Sequence, residues 1–223
     1  MCGRNVWILL AVSLILTGCP CSHTSDDTTD EGPLLVREDE LFVSYEIEEG
    51  LVQTKFSTND TQYSTLEGLT IWTVWGDEGD IFTSRTVSMV KTSGHSDGGF
   101  GIVFCQGEHA VNGAMQSVML VVMINAEGQY IIGKVVGDVF SDYVSWKTTQ
   151  YLNRNIGAGN EIKVSYEEET GEYRLDINGN FIERFRDEDE PVLLGGKNGY
   201  AVVITPSDKF PETSVEVYFT EEK

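Results

Sequence analysis

Tyr173-Arg-Leu-Asp-Ile-Asn-Gly-Asn-Phe-Ile-Glu-Arg-Phe185 sets two apolar-rich runs on either side of Asn178-Gly179, and its reading decides the fold. Asn and Gly both tolerate the positive φ that a type I′ turn needs at its two central positions, so the stretch predicts a β-hairpin. Side chains alternate along a strand. With a two-residue loop, Leu175, Ile177 and Ile182 therefore share one face, and Phe181 and Phe185 the other. A hairpin apolar on both faces requires cover on both, or a bulge. The expectation is an interior element of a larger β structure.

Outward from the hairpin the pattern stays β-like. Short alternating runs are punctuated by Gly, Asn and Asp, and no apolar period of 3.6 stands out. The predicted strands are Leu41–Ile47, Leu51–Phe56, Leu69–Trp75, Ile81–Val90, Gly99–Cys105, Met115–Asn125, Gln129–Val136, Tyr143–Trp146, Glu161–Tyr166, Tyr173–Ile177, Phe181–Phe185, Tyr200–Ile204 and Ser214–Phe219. So many strands without intervening helices indicate an all-β sandwich or barrel. Met115–Asn125 is nearly all apolar, as a strand covered on both faces should be.

The first 33 residues read differently. Met1 to Gly18 carries Arg4 and then an apolar run from Val6 to Leu16, too short to span a bilayer comfortably and of the length of a signal-peptide core. Leu16-Thr17-Gly18-Cys19 resembles a bacterial lipobox. The resemblance implies diacylglycerol transfer to Cys19, cleavage before it and usually N-acylation, and two or three acyl chains anchor a protein stably. Pro20, not Asp, follows the lipid site, which favours an outer membrane where the organism has one. The expected location is the cell envelope, lipid-anchored, with the domain outside the cytoplasm. Pro20 to Pro33 offers almost nothing to bury and reads as a disordered acidic tether with a root-mean-square span of roughly 20 Å. The division is thus a leader over 1–18, lipidated Cys19 and tether over 19–33, and one domain over 34–223. Cys21 and Cys105 remain, and their pairing is left open. Cys105 is expected to be a buried thiol, and no ligand-spaced Cys or His near it suggests zinc.

Composition narrows the partners. Formal net charge is −21, and removal of a leader bearing Arg4 as its only charged residue takes one positive charge away. Such a surface repels polyphosphate, which excludes nucleic acid and disfavours anionic glycans.

The order of motifs is informative. Gly99-Phe-Gly-Ile-Val-Phe104 is followed by Glu127-Gly128-Gln-Tyr-Ile-Ile-Gly-Lys134, Trp146, Asn160-Glu-Ile-Lys-Val164, the hairpin, Gly195-Gly196-Lys-Asn-Gly-Tyr200 and Val215-Glu-Val-Tyr-Phe219. From about Val87 to Phe219 this succession resembles the concanavalin A-like lectin/glucanase superfamily, in particular laminin-G-like and 3-keto-disaccharide-hydrolase-type modules. The resemblance implies a two-sheet jelly-roll sandwich whose closing strand, Val215–Phe219, pairs near the domain's beginning.

Several constellations bear on chemistry. Gly94-His95-Ser96-Asp97-Gly98 fits the nucleophile-elbow pattern, but a strand rather than a helix follows it, so it reads as a polar hairpin loop. Glycosidases of the resembled superfamily carry E-x-D-x-E on one strand, which alternation aims into a cleft, and this pattern is absent. Calcium is the one cofactor weighed, with Asp77, Asp80, Asp187 and Asp189 as loop carboxylates that could hold it. Sugar-binding faces stack rings against the sugar, which singles out Trp72, Trp75, Trp146 and Tyr143. The function expected is therefore non-catalytic binding of a neutral glycan by a monomeric domain. The alternatives are an adhesin-like protein recognising a basic protein partner, and a cryptic glycoside-cleaving enzyme.

Overall fold

A computed structural model describes residues 41–77, 79–111, 113–186, 193–206 and 214–222. Cys19, Cys21, Asp187 and Asp189 lie outside the described residues, as do the leader and the tether.

Among the described residues thirteen strands form two antiparallel sheets, with one short helix beside them. The strands are β1 (Phe42–Glu48), β2 (Leu51–Thr58), β3 (Thr70–Trp75), β4 (Ser84–Ser93), β5 (Phe100–Val111), β6 (Ala114–Ile124), β7 (Gln129–Val136), β8 (Val139–Thr148), β9 (Gly159–Glu167), β10 (Glu172–Ile177), β11 (Asn180–Phe185), β12 (Lys197–Val203) and β13 (Val215–Glu222), with α1 (Asp60–Leu66) between β2 and β3. One sheet has the order β1-β2-β13-β4-β9-β10-β11 and the other β3-β12-β5-β6-β7-β8. β13 pairs with both β2 and β4, the closing-strand placement that the motif order implied.

Inward-facing rows of both sheets make the main core. Phe104, Tyr173, Phe82 and Phe185 form an aromatic group at one part of it, and Tyr200 stacks on Phe219 at 4.2 Å in another. Cys105 is buried here, its Sγ 3.5 Å from Tyr173 Oη.

The hairpin forms where expected, Ile177 opposite Asn180 across Asn178-Gly179, both of positive φ. Its faces differ from the simple alternation. The register shifts between Leu175 and Asp176, leaving Ile182 as the extra residue of a bulge. Phe185 is thereby returned to the core side with Tyr173, Leu175 and Ile177, while Phe181 faces solvent. β11 is moreover an edge strand, so only the first half of the hairpin is interior.

Two further departures have local causes. α1 was not expected, yet Asn59 and Gln62 form a reciprocal capping box at its start, and Tyr63 anchors it by donating to the Thr205 carbonyl. The strand expected over Ile81–Val90 runs instead over Ser84–Ser93. Ile81 makes only an isolated bridge to Gly195, and the Phe82 amide bonds the Leu194 carbonyl.

Candidate functional site

The outward face of the six-stranded sheet carries a second apolar cluster, separate from the main core. Alternation brings Val103 of β5, Met119, Val121 and Met123 of β6, Ile131 of β7 and Ala201 of β12 to this face, where all are buried. Trp72, Val74, Val135, Phe140, Trp146 and Val203 stand around them, half-buried. The result is a trough across the strands, with Trp72 on one edge strand and Phe140 and Trp146 on the other. Its enclosed part, only about 30 Å³, is lined by Trp72 and Phe140 and not by Trp146. Thr70 and Asp138 contribute the polar groups of its lining, and the Thr70 hydroxyl is buried without a hydrogen-bond partner.

Missing side chains seat the rings. Phe140 lies over Gly133, where a Cβ would come within 2.4 Å of it, and Trp146 over Gly99, where a Cβ would stand 3.0 Å from the indole. Residues 98 and 99 form the wall behind Trp146. On its inner side the Lys91 ammonium donates to the Gly98 carbonyl at 2.8 Å and lies 5.9 Å from the Phe100 ring centre. Loss of hydration on burial pushes this amine down to about 8, with Asp97 acting in the opposite direction.

Polar pairs occur in the turn before β5 and along β8. Ser96 donates to Glu127, His95 pairs with Asp97 at 2.5 Å, and Ser145 bonds Asp142 on β8. The Gly94–Gly98 segment is thus a turn between β4 and β5 that carries no Ser–His pair.

Of the four aromatic residues singled out in the sequence, two share the trough. Trp72 and Trp146 do, at opposite edges of the sheet. Trp75 has the other parity and caps the main core: its ring meets Tyr200 at 4.9 Å and the Arg85 guanidinium at 4.8 Å, although it is 42% exposed. Tyr143 turns inward against Phe185, as its odd spacing from the outward Phe140 and Trp146 requires. Phe140 and Met119 were missed. Parity along Val139–Thr148 and Met115–Asn125 would have found them.

Asp77 and Asp80 close a tight turn, the Asp80 carboxylate accepting from the Asp77 amide and the Asp80 amide donating to the Asp77 carbonyl. Among the described residues no group of three or more His, Cys, Asp or Glu side chains is arranged to hold a metal.

The opposite sheet bears an open polar depression of about 380 Å³, lined by Glu161, Lys163, Ser165, Glu167, Arg174 and Asp176. Arg174 is bidentate to Asp176, and the exposed Phe181 ring sits 5.1 Å from both the Arg174 and Arg184 guanidiniums.

No family model matches the chain, and no curated protein matches its sequence. Solved structures do resemble it. A family 16 glycoside hydrolase from a Bacteroides ovatus mixed-linkage glucan locus, in complex with a G4G4G3G product, aligns with a TM-score of 0.54 at 6% identity, covering 82% of this chain and 85% of that one. A family 16 endo-glucanase from Bacteroides ovatus aligns at 0.51 and 5% identity with the same coverage. A structure from work on endo-acting O-glycanases of human gut microbiota aligns at 0.50 and 11% identity, covering 84% of each chain. Identity this low shows shape alone: the chain has the two-sheet, concanavalin A-like jelly-roll fold that these structures share.

Proposed function

We propose that the chain is a bacterial envelope lipoprotein whose sandwich binds a neutral glycan along the ring-walled trough of the six-stranded sheet. The observation that carries this reading is the placement of Trp72, Phe140 and Trp146 on one outward face, with Thr70 and Asp138 as polar groups of its lining. Sugar rings present C–H faces that stack on aromatics while their hydroxyls need polar partners at the margin. The glucanase identity of the structural neighbours favours the same ligand class, as an analogy of fold. Binding is favoured over hydrolysis because the outward positions of β6 in the middle of the face hold Met119, Val121 and Met123, which cannot serve as acid or nucleophile. The strongly negative charge turns acidic polysaccharides away and leaves neutral sugars as ligand.

A glycan array followed by calorimetry with a neutral glucan tetrasaccharide tests this on the full chain. Trp146→Ala should weaken binding by about 1 kcal/mol beyond the lost contact area, a several-fold change in Kd. The apolar floor supports a second reading, recognition of a protein partner. Binding of a basic protein through this face, with no response to any sugar, would put that reading in place of the first.

Anchoring rests on Leu16-Thr17-Gly18-Cys19. Cells fed labelled palmitate should incorporate it into the chain and cease to do so with Cys19→Ala. Incorporation that survives the substitution would remove the lipid anchor, and with it the placement in the outer membrane.

A further inference from the structure

We propose that Lys91 is a positioning residue for the Trp146 subsite, its ammonium holding the Gly98-Gly99 backbone flat behind the indole by donating to the Gly98 carbonyl. As an account of ligand affinity this rests on the glycan reading, but its structural content does not.

Lys91 continues the inward row Val87, Met89, Lys91 of β4, where an aliphatic side chain would be ordinary. It is 1% exposed and has a carbonyl and an aromatic ring for partners instead of a carboxylate. Buried ammonium groups are costly unless paired, so its place in the interior calls for a role. The wall it touches is one backbone thick. A Cβ on Gly98 would fall 2.6 Å from Nζ, and one on Gly99 would fall 3.0 Å from the indole on the far side. The Gly99 carbonyl accepts from the Val203 amide, which ties the same segment to β12. A shift of the Gly98 carbonyl is therefore passed through Gly99 to Trp146.

The groups around Lys91 are few. Asp97 supplies the neighbouring charge and is itself paired with His95. β13 presents Val217 in register with Lys91, and Val215 packs with the Lys91 side chain around Gly94; β5 presents Phe100 and β9 presents Gly159 beside Val90. Because burial brings the amine's titration down to about 8, the proton can be removed without denaturing conditions, and the role becomes readable.

The full chain labelled with 5-fluorotryptophan gives one ¹⁹F resonance per indole, and Trp146→Phe identifies that of Trp146. On raising the pH from 7 to 9 this resonance should move with a midpoint near 8, while those of Trp72 and Trp75 stay. Lys91→Met should abolish the transition and leave Trp146 at its alkaline position already at pH 7. Lys91→Arg, charged throughout, should hold the neutral-pH position at pH 9. Asp97→Asn should lower the midpoint, since Asp97 favours the charged form. Over the same range affinity for the glucan tetrasaccharide should fall about tenfold.

A Trp146 resonance that does not respond near pH 8, or one that responds equally in Lys91→Met, overturns the proposal. The titration of the unsubstituted chain decides it even if Lys91→Met fails to fold. Movement of the resonance with no sugar bound upholds the positioning role and removes the glycan reading instead.

Discussion

Between pH 8 and pH 10 the folded chain should grow more stable as the solution becomes more alkaline. Lys91 in the unfolded chain keeps its proton to about 10.5, whereas in the fold it releases it at about 8. In that window the unfolded state binds more protons, so stability rises with pH, by up to about 3 kcal/mol for a shift of this size. Above pH 10 the direction reverses. Burial raises the Tyr200 and Tyr130 hydroxyls, and the pairing with Glu216 and Glu183 raises Lys55 and Lys147, so each contributes stability that is lost on further deprotonation. Thermal unfolding across a pH series should accordingly show a maximum near pH 10. Lys91→Met should flatten the rise and add about 2 kcal/mol at pH 7, because an apolar chain of similar volume replaces a buried charge. That gain corresponds to a Tm about 4–8 °C higher. A profile that is level or falling from pH 8 to 10 would show that water reaches the amine. A variant more stable yet weaker in binding would mark Lys91 as a residue kept for the site rather than for the fold.

Gly101→Val should be among the most damaging substitutions in the chain. Gly101 sits in β5 between Met123 of β6 and Ala201 of β12. A Cβ there would stand 2.0 Å from the Val122 carbonyl oxygen and 2.7 Å from Met123 Cα. These are backbone atoms of a paired strand, which no rotamer change can move aside. Relief requires β5 and β6 to part, breaking ladder hydrogen bonds in the middle of the sheet, at a cost of more than about 3 kcal/mol. Against a typical total of about 5–15 kcal/mol, much of the domain's stability would be lost. Urea unfolding checks this, with Gly101→Ala as a milder companion. A midpoint unchanged in both would mean that the β5–β6 pairing is not the one described.

Strand content and the Asn178-Gly179 turn were legible because period-two alternation and paired positive-φ residues are local signals. So was the closing position of β13, through the order of motifs rather than any single one. The side on which a ring falls was harder. Trp72 and Trp75 could be given opposite parity from sequence, but which of them faced outward depended on β3 pairing with β12 at the edge of the six-stranded sheet. Tyr143, three residues from both Phe140 and Trp146, could have been placed on the inner face by parity alone. Phe185 follows an irregularity in strand pairing, and such a slip reverses the face of everything beyond it. Such irregularities arise from contacts with neighbouring strands, which sequence spacing does not encode. Lys91 escaped notice because a lysine at an inward strand position looks like an ordinary surface residue until the loop at Gly98 folds over it. The capping box of α1 was present as Asn59 and Gln62, and was masked by the lack of an apolar helical period.

β13 also governs when the molecule can fold. β13 lies third in the seven-stranded sheet and bridges β2 to β4, joining for example Gln53 to Thr220, 167 positions away. Until residues 215–222 are available, that sheet remains two separate pieces, β1-β2 on one side and β4-β9-β10-β11 on the other. Pairings of such long range form late and slowly. A chain emerging from a ribosome therefore cannot close this sandwich before residues 215–222 are made. It stays pliable until residues 215–222 arrive, and that eight-residue strand acts as the latch that commits the whole to its folded form.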